Sequence, residues 1–578
     1  MSFLAIYLTA SLVIITFINS LSSILNKSFM LVDLKNNTIP VGEQSSPVTG
    51  GTDKSSTKES GYSCALMLLL SLVLLSPTGL LTSVTTAGEF ILVEQGPNEA
   101  YGLNKFSLLI EFLVVLITFV IVQVVKPSKL KESALLVSFS TLGLILMIET
   151  SNLIGLYLAV ELYSLSAYIL ASGAEGVYSS SKESDAPNKP SISAGLKYFL
   201  LSALSSGILV VGISLIYGVT GELSLNGLSR ALDALSTQSM MTIISDSDKV
   251  SIVLAIVGMG LILSTLLFKI GAAPFHFWVP DVYSKVSLFV NFYLISVPKI
   301  GILYTLIKIS FVWPATYYTT SLLGFSILSL VVGAVGGLVQ VKTTRLLAYS
   351  SISHVGYILL ALYAAHIPQS YELGNVSSYS VSELSKLSVA TAPSPFHIYS
   401  IGLYLLVYCF MTVNMFTVLY TLKFYRSKML NKKKNSVVSV RNDFISGFKG
   451  LSALNPFLAA SMAVTLLSMA GVPPLAGFVA KLTVYMGVLD SGALAPAVFA
   501  VLCSVITAVY YLRLIKVAYF YNEDASITPL KALSTNSHNG VRDGFNLTTF
   551  SSNVISLCTL LIIFLPIIKP SLIFLYLN

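Results

Sequence analysis

The chain has 578 residues, of which 54% are hydrophobic and only 10% are charged. A soluble domain carries about 25% charged residues, so this composition excludes a water-facing surface over a chain of this length. The formal net charge is +8, but the location of those charges, treated below, argues against nucleic acid as a partner.

A membrane-crossing helix needs about 20 mostly apolar residues. Fourteen such segments are expected in chain order: 3–25, 62–83, 104–125, 132–149, 152–172, 193–219, 250–274, 287–310, 319–340, 345–366, 397–424, 455–487, 493–520 and 552–576. They are continuously apolar rather than alternating, which favours helices over a β-barrel. Segment 1 lacks a basic flank and a small-residue cleavage site, so it reads as a retained helix and not a signal peptide. Polar inserts lie at 26–61, 173–192, 220–249, 367–395, 427–455 and 522–550, none apolar enough for a separate domain. The expectation is one all-α polytopic membrane domain spanning 1–578. Segments 1–3 occupy about 3–125, a first unit about 132–310, a second unit about 319–520, and a last helix about 552–576.

The basic residues set a topology. Of 34 Lys and Arg, 24 fall in or beside loops that follow odd-numbered segments, four follow even-numbered ones, and six lie within segments. The densest cluster follows segment 11, with Lys423, Arg426, Lys428, Lys432, Lys433, Lys434, Arg441 and Lys449. This is the positive-inside pattern, and it places both termini on the opposite side. The Lys432–Lys434 run reads as a solvated loop with affinity for anionic lipid.

Two segments are interrupted. Segment 7 runs into Lys269-Ile-Gly-Ala-Ala-Pro-Phe-His-Phe-Trp-Val-Pro280, and segment 12 contains Ala470-Gly-Val-Pro-Pro-Leu-Ala-Gly-Phe-Val-Ala-Lys481. Proline removes a donor and clashes with the preceding turn. Broken helices in corresponding positions of two halves point to a transport site between repeats. Segments 4–8 and 9–13 make two sets of five with the break in the fourth member of each. Five is odd, so the second set enters from the other side, as an inverted repeat.

Charges within the apolar segments carry the chemistry, because each costs roughly 2.5–3.5 kcal/mol at a helix centre. They are Glu111, Glu149, Glu161, Lys197, Lys269, Lys299, Lys308, Lys481 and Lys569. Glu149 lies at a turn, Lys308 and Lys569 are near helix ends and can snorkel, and Glu111 fits a structural hydrogen bond equally well. Glu161, Lys197, Lys269, Lys299 and Lys481 are the candidates for a proton relay. Burial lowers a lysine's proton affinity and a nearby carboxylate restores it, so a Lys–Glu pair of changing separation can load and release a proton. Static ion pairs that orient helices are the competing reading. His276 and His354 are further candidates, since imidazole titrates near neutrality. Gly333-x-x-x-Gly337 reads as a close-packing motif. Cys64, Cys409, Cys503 and Cys558 have no iron–sulfur or zinc spacing, and no dinucleotide or phosphate-binding loop is present. The chain is thus expected to bind no cofactor or metal of its own.

Five stretches resemble the antiporter-like subunits of respiratory complex I: 157–162, 194–198, 268–283, 342–357 and 471–481. Lysine at 299 where sister branches have histidine, and lysine at 481 where they have glutamate, resembles one branch of that family. The chain ends soon after segment 14, without the long lateral helix of another branch. Its inserts and lack of a presequence resemble a fungal, organelle-encoded member.

The resemblance implies a proton-translocating membrane-arm subunit of NADH:ubiquinone reductase in the mitochondrial inner membrane. Glu161 and Lys269 would form a modulating pair with Lys197 alongside, Lys299 would join the halves, and Lys481 would exchange protons with the intermembrane space. NADH, FMN, iron–sulfur clusters and ubiquinone would sit on other subunits. Partners would be those other membrane-arm subunits, lipid, water and protons. A stand-alone cation/proton antiporter and a non-transporting scaffold are the alternatives.

Overall fold

The computed structural model describes residues 103–125, 131–173, 189–239, 246–313, 315–367, 395–432, 444–520 and 549–565. The segments expected at 3–25 and 62–83 lie outside them. The elements are α1 (Leu103–Val125), α2 (Lys131–Glu149), α3 (Leu153–Ser172), α4 (Lys189–Thr220), α5 (Leu225–Ser239), α6 (Asp246–Ile270), α7 (Trp278–Tyr283) and α8 (Leu288–Ser310). They continue with α9 (Ala315–Leu338), α10 (Thr343–Ala365), α11 (Pro395–Lys432), α12 (Leu451–Leu454), α13 (Pro456–Ala470), α14 (Ala476–Asp490), α15 (Leu494–Phe520) and α16 (Thr549–Phe564). Among the described residues, eight helices are long and apolar enough to cross a membrane, and four further apolar helices are shorter.

Burial sorts these helices into an inner and an outer set. Every residue of the apolar window of α8 is buried, as is 89% of that in α10 and α11. By contrast α4, α9 and α15 bury 39%, 39% and 33% of theirs. Their outer faces show large apolar side chains such as Leu200, Leu204, Leu328 and Val505. A helix that is apolar all round suits a membrane, and here the solvent for the outer set is hydrocarbon.

One insert departs from expectation. The stretch 220–249 reads as a polar loop, yet it contains α5, an amphipathic helix. Leu225, Leu228 and Leu232 are buried on one side of it, at the i, i+3, i+7 spacing of a single helical face. The stripe is too short to register in a search for membrane-length apolar runs.

The two breaks are built alike. α6 ends at Gly271 (φ 80°) and α13 at Gly471 (φ 89°). The Gly271 N–H donates to Leu267 O and Phe268 O, both at 3.0 Å, and the Gly471 N–H to Leu467 O and Ser468 O, both at 3.0 Å. The next residue returns to the same carbonyl in each case, Ala272 to Leu267 at 2.9 Å and Val472 to Leu467 at 3.1 Å. Left-handed glycine after a helix, with such paired bonds, satisfies carbonyls that the helix end would leave bare. α7 and α14 resume the path beyond each break.

Two other features recur between the two halves. The residue ahead of α3, Asn152, forms an antiparallel bridge with Ser224 after α4, and Lys342 ahead of α10 forms one with Phe444 after α11. On α2, a Cβ at Gly143 would lie 2.6 Å from the backbone nitrogen of Tyr163. On α9, a Cβ at Gly333 would lie 2.6 Å from that of Ser353. Glycine thus lets each first helix touch the backbone of the second. Gly337 similarly faces the Tyr510 ring, in keeping with a packing role for both glycines of that motif.

Candidate functional site

Glu161 sits in the middle of α3. Its Oε2 accepts a hydrogen bond from Ser164 Oγ at 3.4 Å, while Oε1 is buried with no hydrogen-bond partner. Two turns on, along the same face, comes Tyr168. Its hydroxyl interacts with Ser164 and Ser202 and feels the Glu161 charge.

Lys269, in the last turn of α6, is 4% exposed. Its ammonium donates to Ser202 Oγ at 2.6 Å and to Tyr168 OH at 3.3 Å, and lies 5.8 Å from the Tyr168 ring centre. Glu161 is the carboxylate that acts on it electrostatically. Hydroxyls of α3 and α4 therefore stand between the acid and the amine.

Lys299 is buried on α8, directly after Pro298, and its Nζ makes no hydrogen bond among the described residues. His354 on α10 is the imidazole that feels both Lys299 and Lys481. Its Nδ1 is 2.8 Å from Tyr404 OH and its Nε2 is 3.4 Å from Tyr511 OH. The Tyr408 ring centre is 5.3 Å away. Three tyrosines from α11 and α15 thus adjoin an imidazole that feels the charge of two lysines.

Lys481 belongs to α14 but reaches back across the break. Its ammonium donates to Met469 O at 3.0 Å and Ala470 O at 2.9 Å, the last carbonyls of α13, and lies 5.2 Å from the Tyr357 ring centre. Helix C-termini attract cations because their final carbonyls are unpaired and the helix dipole is negative there. The close approach also involves Gly471, where a Cβ would lie 3.0 Å from Lys481 Cδ.

Two candidates stand apart from this group. Lys197 on α4 is 54% exposed and pairs with Asp281 Oδ2 at 3.4 Å. Asp281, on α7, also pairs through Oδ1 with Arg345 of α10 at 2.9 Å. Partial burial pushes the Asp281 carboxyl up, but hydrogen bonds from Arg345 and Lys197 and their charges hold it below the usual carboxylate value. His276 lies in the turn between α6 and α7, its ring 4.6 Å from that of Phe277.

The residue list drawn from sequence omitted Ser164, Tyr168, Ser202, Asp281, Arg345, Tyr404 and Tyr511. Glu161, Ser164 and Tyr168 share an i, i+3, i+7 face, a signal that could have found the two hydroxyls. Tyr511 carried no local signal, because it meets His354 only through the packing of α15. Among the described residues, no group of three His, Cys, Asp or Glu side chains is placed to hold a metal ion.

Comparison with known proteins matches residues 150–376 and 378–507 to the family described as NADH:quinone oxidoreductase/Mrp antiporter, transmembrane. The chain is 36% identical over 457 residues to NADH-ubiquinone oxidoreductase chain 2 of Rhizopus oryzae, covering 77% of this chain and 76% of that protein. It is 36% identical over 406 residues to NADH-quinone oxidoreductase subunit N of Rhodospirillum rubrum, covering 70% and 69%. Among solved structures, a chain of respiratory complex I from Thermus thermophilus superposes with a TM-score of 0.62 at 26% identity, covering 90% of this chain and 94% of that one. A chain of the Mrp complex from Dietzia shares the fold, with a TM-score of 0.61 at 19% identity and 90% coverage of each.

Proposed function

Because the chain belongs to the NADH:quinone oxidoreductase/Mrp antiporter family, in its chain 2 or subunit N branch, we propose that it carries protons through the membrane arm of a mitochondrial NADH:ubiquinone reductase. The route is the row Glu161, Lys269, Lys299, His354 and Lys481. The enzyme's redox chemistry, with NADH, FMN, iron–sulfur clusters and ubiquinone, belongs to other subunits. The chain lies multi-pass in the inner membrane beside other membrane-arm subunits. Both its termini face the intermembrane space, and its basic loops face anionic lipid on the matrix side.

The observation that carries this reading is the burial of Lys269, Lys299, His354 and Lys481 from four helices, with a half-buried Glu161 on a fifth, and two of these groups lack a full set of partners. In a static ion pair, each charge would be matched by a countercharge, since a lone buried charge is strongly disfavoured. Among the described residues, Lys299 Nζ has no hydrogen-bond partner, and one oxygen of Glu161 is unpaired. Such groups must be hydrated or give up their charge. Both options are what a proton carrier requires.

Glu161 and Lys269 exchange a proton through the Ser164, Tyr168 and Ser202 hydroxyls. Lys299 passes it between the halves, His354 links Lys299 to Lys481, and Lys481 releases it to the far side. Lys197, held by Asp281, stands at the matrix-side edge of this row, and His276 lies beside the first break. The shared construction of the two breaks, the two antiparallel bridges and the two glycine contacts supports an inverted repeat of α2–α8 and α9–α15.

Lys269→Ala in the assembled complex tests the reading. A relay predicts retained assembly with proton pumping, and coupled NADH oxidation, reduced. A scaffold predicts lost assembly instead, and a stand-alone antiporter predicts sodium–proton exchange by the isolated chain without any redox substrate. Undiminished pumping in an assembled Lys269→Ala complex would rule the relay out.

A further inference from the structure

A second group of buried ionisable side chains lies away from the proposed row. Glu111 on α1 is 6% exposed, and Lys308 in the last turn of α8 is 8% exposed. Glu149 closes α2. These three helices pack against one another, and the three charges act on one another electrostatically. The Lys308 ammonium donates to Ile148 O at 3.1 Å and Thr150 O at 2.7 Å, the carbonyls at the end of α2. Tyr304, one turn before Lys308 on α8, also feels the Glu111 charge and is hydrogen-bonded to Ser107 of α1.

Charge counting makes this group unusual. Among the described residues, Lys308 is the cation whose charge acts on both carboxylates, and its ammonium already gives two donors to backbone carbonyls. Fully ionised, the cluster would keep one uncompensated negative charge in a buried setting, which is strongly disfavoured. Two carboxylates around one site do not both ionise readily; one retains a proton, and the pair titrates as a unit. Lys308 also leaves α8 on the other side from Lys299. The two are nine residues apart, about 180° around a helix at 3.6 residues per turn. The cluster therefore stands independently of the row from Glu161 to Lys481.

We propose that Glu111 and Glu149, on helices packed beside the Lys308 ammonium at the end of α8 remote from Asp281, form a proton-binding site in which the two carboxyls together hold one exchangeable proton. The proton comes from water in the compartment that this end of the helices faces and returns there. No electron moves, and only one carboxyl O–H bond forms and breaks. By the distribution of basic residues that compartment is the outer one.

Infrared difference spectra of the reconstituted complex near neutral pH provide the test. Wild type should show a carboxylic C=O band that shifts in D2O and is missing from Glu111→Gln and from Glu149→Gln alike. In either variant the surviving carboxylate ionises opposite Lys308. Spectra in which both variants keep every carboxylic band of the wild type would overturn the proposal. So would a lost band that D2O does not shift. If neither glutamine variant assembles, Lys308→Met replaces them. Removing the cation should then add a second carboxylic band, and its failure to appear refutes the shared proton.

Discussion

At Asp281 one carboxylate meets two cations, and the consequences can be measured directly. Both pairs are substantially exposed to solvent, so each contributes about 0.2–1 kcal/mol. Asp281→Asn should lower stability by about 1 kcal/mol in chemical denaturation of the purified complex. Because the folded carboxyl titrates below its ordinary value, its contribution is present above the unfolded-state titration and fades as pH falls through the folded one. The difference between wild type and Asp281→Asn should therefore be full at neutral pH and shrink in acid. An undiminished difference at low pH would contradict the ion-pair account.

Lys299 calls for the opposite expectation. A buried ammonium without an acceptor costs stability, because nothing offsets its desolvation, and an apolar side chain of similar size removes that cost. Lys299→Met should leave the thermal midpoint of the assembled complex unchanged or raised while proton pumping falls. A destabilised protein that still pumps would reverse both halves of that expectation.

Among the elements, the two breaks depend on glycine. Gly271 and Gly471 occupy left-handed conformations, which cost an L-residue about 1–2 kcal/mol. A Cβ at Gly271 would also lie 2.3 Å from Val279 Cγ2, so α7 would have to shift. Gly271→Ala should lower the yield of assembled complex on native gels, and an undiminished yield would contradict the need for glycine at this break. Gly471→Ala should displace the Lys481 stem and reduce pumping in whatever complex assembles. Sequence reasoning located both breaks because proline and glycine are local punctuation, and it found Lys269 and Lys481 because a charge in an apolar run is conspicuous. It passed over α5, whose apolar stripe is short, and the hydroxyls between Glu161 and Lys269. Serine and tyrosine are ordinary in such helices, and only the third dimension places Ser202 against Lys269. The electrostatic link from Lys299 through His354 to Lys481 joins α8, α10 and α14, which are distant in the chain, so no spacing rule could have assembled it.

For the whole molecule, orientation and the join between halves are the properties at stake. The excess of Lys and Arg on one side predicts that an impermeant amine reagent modifies the lysines of the 427–449 stretch from the matrix side of inner-membrane vesicles only. Labelling from the other side would invert the topology. The Asp281 pairs tie α4 and α10, one helix from each proposed repeat, to the short α7. The other conspicuous tie is Lys481, whose ammonium spans from α14 to the carbonyl end of α13. An ammonium binds those carbonyls through charge-assisted hydrogen bonds, roughly twice as strong as neutral ones. A neutral amine would still donate, but with a weaker grip. The hinge between the two half-helices is thus latched by the very proton that Lys481 is proposed to hand on, so that each departure slackens the joint and each arrival tightens it.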